Sequence, residues 1–293
     1  RFAPAVVGIA FGSRIMAKFQ FAHNFGSGKM LIEFIHIKGG SPVNNLIRMN
    51  APTEYIKLQY LNITHSFYYQ LVMEASDERV NYKPEISHCY IDLMFSQEEA
   101  DLSGVGGDPS VWDAHLTEGI TMRDGVDGAW IHHNHIRNMS HAFIAIESLD
   151  RTNDYDTTGV RNCYIEDNLL EGDNLGYSRA FNIMGGPNLS GVELCRNNTF
   201  RRNRCYDMST ASHLFGENNL IYSNIFSYVH CQYNEDGVLV DGKGAVPWAF
   251  DTVPYDGHSS VGNMVVNNTF YDVGSAIGIT DQSNLVYNNI YAN

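Results

Sequence analysis

The chain has 293 residues, 44% of them hydrophobic, and a formal net charge of -14. That is enough apolar content for a full core, and it exceeds the usual single domain unless the fold is a barrel, sandwich or solenoid. The acidic balance excludes nucleic acid and anionic membrane surfaces as main partners; the early apolar run "AVVGIAF" is far shorter than the roughly 20 residues that cross a bilayer.

Residues 1–30 read as an N-terminal rung or cap. The chain begins at Arg1 and carries no charged-then-apolar signal segment, so a leader or capping segment is expected to have been removed. From there a frame recurs, with an apolar residue three before and two after a central position. It appears without an amide as "IEFIHI" around Ile35, "LQYLNI" around Leu61 and "ISHCYI" around Cys89. It then appears with a central asparagine as "IHHNHI" (Asn134), "IEDNLL" (Asn168), "CRNNTF" (Asn198), "IYSNIF" (Asn224), "VVNNTF" (Asn268) and "VYNNIY" (Asn289). Successive centres lie 21 to 45 residues apart, too irregular for an array of helical repeats and ordinary for a coil whose turns carry loops of variable length.

After most centres a second strand-like run follows: "AFIAIES", "AFNIMGG", "ASHLFGE", "GVLVDGK" and "AIGITDQ". Helix formers dominate no long window, and the alternation has period two. The expectation is an all-β chain of one domain, 1–293, winding as a parallel β-helix of about nine or more rungs stacked at roughly 4.8 Å. At a sharp corner asparagine tolerates left-handed backbone angles, and amides stacked on successive turns hydrogen-bond one another in a ladder.

With that corner and the strand after it, residues 30 to 293 resemble the right-handed parallel β-helix proteins of the pectate-lyase-like superfamily. The resemblance implies the fold and a protein that acts on polysaccharide. The active-site motifs of pectate lyase, polygalacturonase and pectin methylesterase are not found, so it carries over no catalytic residue.

In a solenoid the inward residues pack, so chemistry falls to outward strand residues and to insertions. Two insertions stand out, about 94–128 and 236–262, four rungs or roughly 20 Å apart, as walls flanking a groove. They supply Trp112, His115, Lys243, Trp248, Tyr255, Asp256 and His258 as candidate glycan contacts, because aromatic faces stack on sugar rings. Alternation on the second strand points outward Ala145, Asn182, His213 and Leu239, and beside them Glu147, Met184, Phe215 and Asp241. Glu147, His213 and Asp241 are the candidate acid and base groups; Asn182 lies among them, and Arg179 and Lys243 are placed to bind a carboxylate or sulfate. On the first strand the outward column reads His132, Glu166, Arg196, Tyr222, charges that pair across strands.

The run "IHHNHIRNMSH" puts His133 and His135 on one side of a strand, but spacing fixes no third ligand, and no metal site is assigned. The acidic surplus of the first insertion, including Glu118, Asp124 and Asp127, either stays solvated or gathers Ca2+ through carboxylate oxygens, with solvation preferred. Cys205 and Cys231 fall near each other on consecutive turns, as a disulfide or a pair of thiols.

The sequence therefore leads to an extracellular or cell-surface protein acting on a polysaccharide, as lyase or glycoside hydrolase. The alternatives are a non-catalytic carbohydrate-binding or adhesin module, and a fibre or tailspike segment. The last would fit an end on "NLVYNNIYAN" with no evident cap, its solenoid covered by neighbouring chains.

Overall fold

The computed structural model describes residues 19–21, 30–33, 36–38, 45–50, 52–64, 69–75, 80–92, 117–139, 141–148, 159–172, 178–229, 250–251, 260–273, 277–278 and 283–292. Every regular element among them is a β-strand. One turn of the chain lays down Asn45–Asn50, Thr53–Glu54, Ile56–Gln59 and Asn62–Thr64, and each of these belongs to a different sheet. We number the sheets first to fourth in that order. The first, third and fourth contain nine strands each, and the second contains seven two-residue strands. Pairing is parallel throughout, each strand bonded to its counterpart one turn away, so the molecule is a parallel β-helix. Among the described residues no helix is long and apolar enough to cross a membrane.

Register explains the apolar frame. The middle residue of each third-sheet strand points inward, so Leu58, Ile86, Ile131, Ile165, Phe200, Ile221 and Val265 form one column. The fourth sheet stacks Ile63, Ile91, Ile136, Leu170, Cys205, Phe226 and Phe270 likewise. These side chains are buried in one continuous core, and each aliphatic or aromatic member contributes about 1.5–3 kcal/mol relative to exposure. Phe226 and Phe270 stack with centroids 5.3 Å apart and planes 15° apart.

Between the third and fourth sheets stands a column of buried amides: Asn134, Asn168, Asn203, Asn224, Asn268 and, at its half-buried end, Asn289. Each Nδ2 donates to the next Oδ1 at 3.0 or 3.1 Å. The same Oδ1 accepts the backbone N–H of the preceding asparagine, at 3.0 Å from Asn134 to Asn168.

Asn198 is not in this column, which corrects the sequence expectation. It starts a second column with Asn219, Asn263 and Asn284, at the corner between the second and third sheets. The left-handed backbone is also one position earlier than expected. Tyr60, His88, His133, Asp167, Arg202, Ser223, Asn267 and Asn288 have φ from 53° to 56°, and the residues that follow them, asparagine in the last six cases, do not. The column asparagines are used for an amide that donates and accepts at once, and the bonds they make hold side chains of many types in a region that costs about 1–2 kcal/mol per residue.

The first insertion is shorter than its expected 94–128, since Glu118–Arg123 and Val126–Asp127 are strands of the first and second sheets. Phe250–Asp251 and Ser260–Val261 likewise lie in sheets, within the expected second insertion. Cys89, Cys163, Cys195 and Cys205 are buried free thiols; Cys231 lies outside the described residues.

Candidate active site on the first sheet

In the first sheet Ile120, Ile144 and Phe181 form one inward column, and Met122, Ile146 and Ile183 form another. The residues between them face away from the core: Thr121, Ala145, Asn182 and His213 in one register, Arg123, Glu147 and Met184 in the next. At the start of these strands Glu118, Ala142 and Arg179 are aligned. Thr121, Arg123, Glu147, Asn182 and His213 reach the outer face by alternation; Glu118 and Arg179 share the parity of the inward residues and lie before a break in the alternation, where the successive Phe143 and Ile144 are both in the core. They are nevertheless shielded: Glu118, Thr121, Glu147, Asn182 and His213 are buried, and His141, Arg123, Arg179 and Met184 form the half-buried rim.

Shielding makes hydrogen bonding obligatory. Glu118 Oε1 lies 2.9 Å from His141 Nδ1, and Thr121 Oγ1 donates to Glu118 Oε2 at 2.5 Å. Glu147 takes Arg123 through Oε2, at 2.6 Å from Nη2 and 3.1 Å from Nε, and Asn182 Nδ2 through Oε1 at 3.2 Å. The two carboxyls are close enough for each to shift the other's proton affinity. Burial pushes the Glu118 carboxyl up from its ordinary 4.5 to about 7, against the hydrogen bond from Thr121 and the charges of Arg123 and Arg179. Glu147 is also raised, first by burial and then by the charge of Glu118. His141 is lowered from 6.5 to about 3, by burial and next by the Arg179 charge. Two carboxyls side by side in a dry site cannot both ionise cheaply, so the pair retains a proton near neutrality. Such a pair can both give and take a proton.

Four of the sequence candidates come together here: Glu147 and Asn182 in direct contact, His213 in register beside Asn182 with its ring stacked on Phe215 at 5.6 Å, and Arg179 at the rim. The residue in register with His213 on the next strand is Asp251, not Leu239. The next described strand of this sheet is Phe250–Asp251, and it takes the register position beside His213 that "GVLVDGK" is expected to fill. Asp241, Trp112, His115, Lys243, Trp248, Tyr255, Asp256 and His258 all lie outside the described residues.

Glu118 and His141 were missed by the sequence. Glu118 was counted among the solvated acids of the first insertion, yet it is buried; Asp127 pairs with Arg161 at 3.1 Å, and Asp124 accepts a hydrogen bond from Ser148 at 3.4 Å. Alternation gave no signal for Glu118, since it shares the parity of the inward Ile120 and Met122. The outward column of the third sheet is His132, Glu166, Arg201, Tyr222; Arg196 sits in the second sheet beside Arg161 and Glu217. His133 and His135 do not act together either, since His135 pairs with Glu171 at 2.9 Å while His133 meets His132 and His88.

No protein-family model matches the chain, and no curated protein sequence does. Solved structures similar to it include the following three. An alginate lyase from Paenibacillus sp. str. FPU-7 is 15% identical over 88% of this chain and 78% of its own, with a TM-score of 0.48. The DFA-IIIase of Arthrobacter chlorophenolicus A6 in complex with GF2 is 13% identical over 82% of this chain and 69% of its own, TM-score 0.37. The Dettilon tailspike protein is 11% identical over 94% of this chain and 61% of its own, TM-score 0.39. At such identities no side chain takes its role from these proteins.

Proposed function

We propose that the protein is an extracellular enzyme that cleaves the glycosidic bonds of a polysaccharide, with the proton transfers handled by Glu118 and Glu147. The observation that carries this reading is the placement of two buried carboxyls, Glu118 and Glu147, on adjacent strands of one polar face, where burial raises the proton affinity of both. A carboxyl raised in this way, still protonated near neutral pH, is matched to protonating a leaving glycosidic oxygen. Glu147, held by Arg123 and Asn182, is the partner carboxylate. Asn182 and His213 extend the face by one rung and contact the neighbouring sugar, and Arg179 at the rim receives an acidic substituent. A polymer substrate places the reaction outside the cell.

Hydrolysis, which needs one carboxyl as acid and a second as base or nucleophile, is the first reading. Elimination from a uronate is the second reading, favoured by Arg123 and Arg179 beside the pair, whose charges would neutralise a uronate carboxylate. Incubation with alginate, pectin, glycosaminoglycans, fructans and neutral glycans separates the two. Reducing ends without ultraviolet absorbance mean hydrolysis, and absorbance from a new double bond means elimination. Glu118→Gln and Glu147→Gln should each lower kcat on the active polymer by about 100-fold or more, and the wild-type rate should fall as pH rises through about 7. Full turnover in both variants would remove the pair from catalysis; glycan binding without turnover in the wild type would leave a binding module.

A further inference from the structure

On the outer surface of the third sheet, two turns of the coil bring three imidazoles together. His132 ends the strand Trp130–His132, His133 follows it at the corner, and His88 holds the same corner position one turn earlier. One nitrogen from each, three in all, can be chosen within 4.8 Å of one another. His132 Nδ1 lies 2.8 Å from His133 Nδ1. Nitrogens around a four-coordinate zinc ion, with bonds of about 2.0–2.1 Å, stand about 3.4 Å apart, so modest ring rotations reach that geometry.

The surroundings hold the rings in place. His132 Nε2 faces Glu85 Oε1 at 3.2 Å, and Glu85 is in turn paired with Lys57 at 2.6 Å. A carboxylate on the far ring nitrogen fixes the tautomer that leaves Nδ1 with its lone pair free, the arrangement found behind metal-bound histidines. Trp130 stacks on His132 at 3.9 Å, and Tyr60 stacks on His88 at 5.0 Å with planes 8° apart. The next carboxylate along the corner, Asp167, is engaged by Arg202 through both oxygens, at 2.9 and 2.8 Å.

We propose that His88, His132 and His133 bind a divalent first-row transition ion of the zinc type, with Glu85 orienting His132 and the fourth coordination position left to water or an incoming ligand. The contact between the two Nδ1 atoms is the point at issue. With His132 Nε2–H donating to Glu85 Oε1, the His132 Nδ1 lone pair faces His133 Nδ1; a cation takes both lone pairs in the tautomer of His133 that carries its proton on Nε2.

The test is titration of the tag-free full chain with ZnCl2 by calorimetry, and with CoCl2 by visible absorption. One equivalent should bind with a micromolar or tighter Kd, and cobalt should give the intense bands of four-coordination. His88 and His133 lie at left-handed positions that asparagine tolerates, so the double variant His88→Asn, His133→Asn should fold as the wild type does by circular dichroism. It should bind at least 100-fold more weakly. Glu85→Gln should weaken binding about 10- to 100-fold at unchanged stoichiometry, and His135→Asn should leave it alone. Millimolar binding by the wild type, or wild-type affinity in the double variant, would overturn the site.

Discussion

At the corner between the third and fourth sheets each buried amide meets a copy of itself, whereas on the outer face of the first sheet the polar side chains are held by partners of several kinds. Asn168 donates to Asn203, which donates to Asn224, in one geometry repeated along the coil. Glu118, by contrast, is shared between His141 and Thr121, and Glu147 between Arg123 and Asn182. Both regions satisfy the rule that buried polar groups need partners. The column does so with neutral amides, whose donors and acceptors match at every turn, and so carries no titration. The first-sheet face does so with ionisable groups whose proton affinities are displaced by burial, the condition in which side chains perform acid and base chemistry.

The largest effect expected from breaking this contrast falls in the column. Asn203→Ala takes the acceptor from Asn168 N–H and Nδ2, and the donor from Ile165 O and Asn224 Oδ1. With each unsatisfied buried group costing about 1–3 kcal/mol, partly relieved by relaxation, the loss should be about 3–5 kcal/mol. Urea unfolding followed by circular dichroism measures it. Asn289→Ala, at the half-buried end of the column, should cost about 1–2 kcal/mol by the same reasoning. Equal losses at the two positions would mean that the amides do not act through their neighbours.

The same contrast decides what was legible in the sequence. A structure repeated identically leaves a pattern, so the parallel β-helix and five of the six column amides followed from an apolar frame around asparagine. The one slip has a plain cause: "CRNNTFRRNRC" contains two asparagines, Asn198 and Asn203, each with an apolar residue two places on, Phe200 and Cys205. A frame centred on Asn198 lies one corner early and places Arg196 in a column that belongs to Arg201. Chemistry on the first sheet leaves no such pattern. Glu118 reaches Glu147 only because the strands 118–123 and 142–147 pair in register, and His88 reaches His133 across 45 residues for the same reason. Local spacing can suggest neither meeting until the register is known.

A smaller effect than the column's sharpens the other side of the comparison. Between pH 4.5 and 7 the folded chain holds the Glu118 proton that the unfolded chain has released, so this group makes stability fall as pH rises. His141 works in the opposite sense. From pH 3 to 6.5 the unfolded chain holds a proton that the folded chain lacks, and stability rises with pH. The two contributions oppose each other between 4.5 and 6.5 and flatten the wild-type curve there. His141→Gln should unmask the fall, and Glu118→Gln should tilt the curve upward, each by at most about 1.4 kcal/mol per pH unit. Unfolding free energies at four pH values across that window test it; parallel curves for all three proteins would mean that neither group titrates as its burial requires.

The smallest effect lies one residue from the largest. Arg202 stands beside Asn203 and makes three charge-assisted contacts, with Asp167 at 2.9 and 2.8 Å and with Glu166 at 2.7 Å. By number of bonds it rivals the asparagine. Its side chain is nevertheless 45% exposed, so water and salt replace most of what it supplies. Glu166 also keeps Arg201 and the Trp130 Nε1–H when Arg202 is removed. Arg202→Ala should therefore cost about 1 kcal/mol or less, and half a molar salt should shrink that further while leaving the Asn203→Ala loss unchanged. A loss at Arg202 that approached the asparagine's and ignored salt would mean that hydrogen-bond count, rather than shielding from water, governs what a polar side chain contributes along this corner.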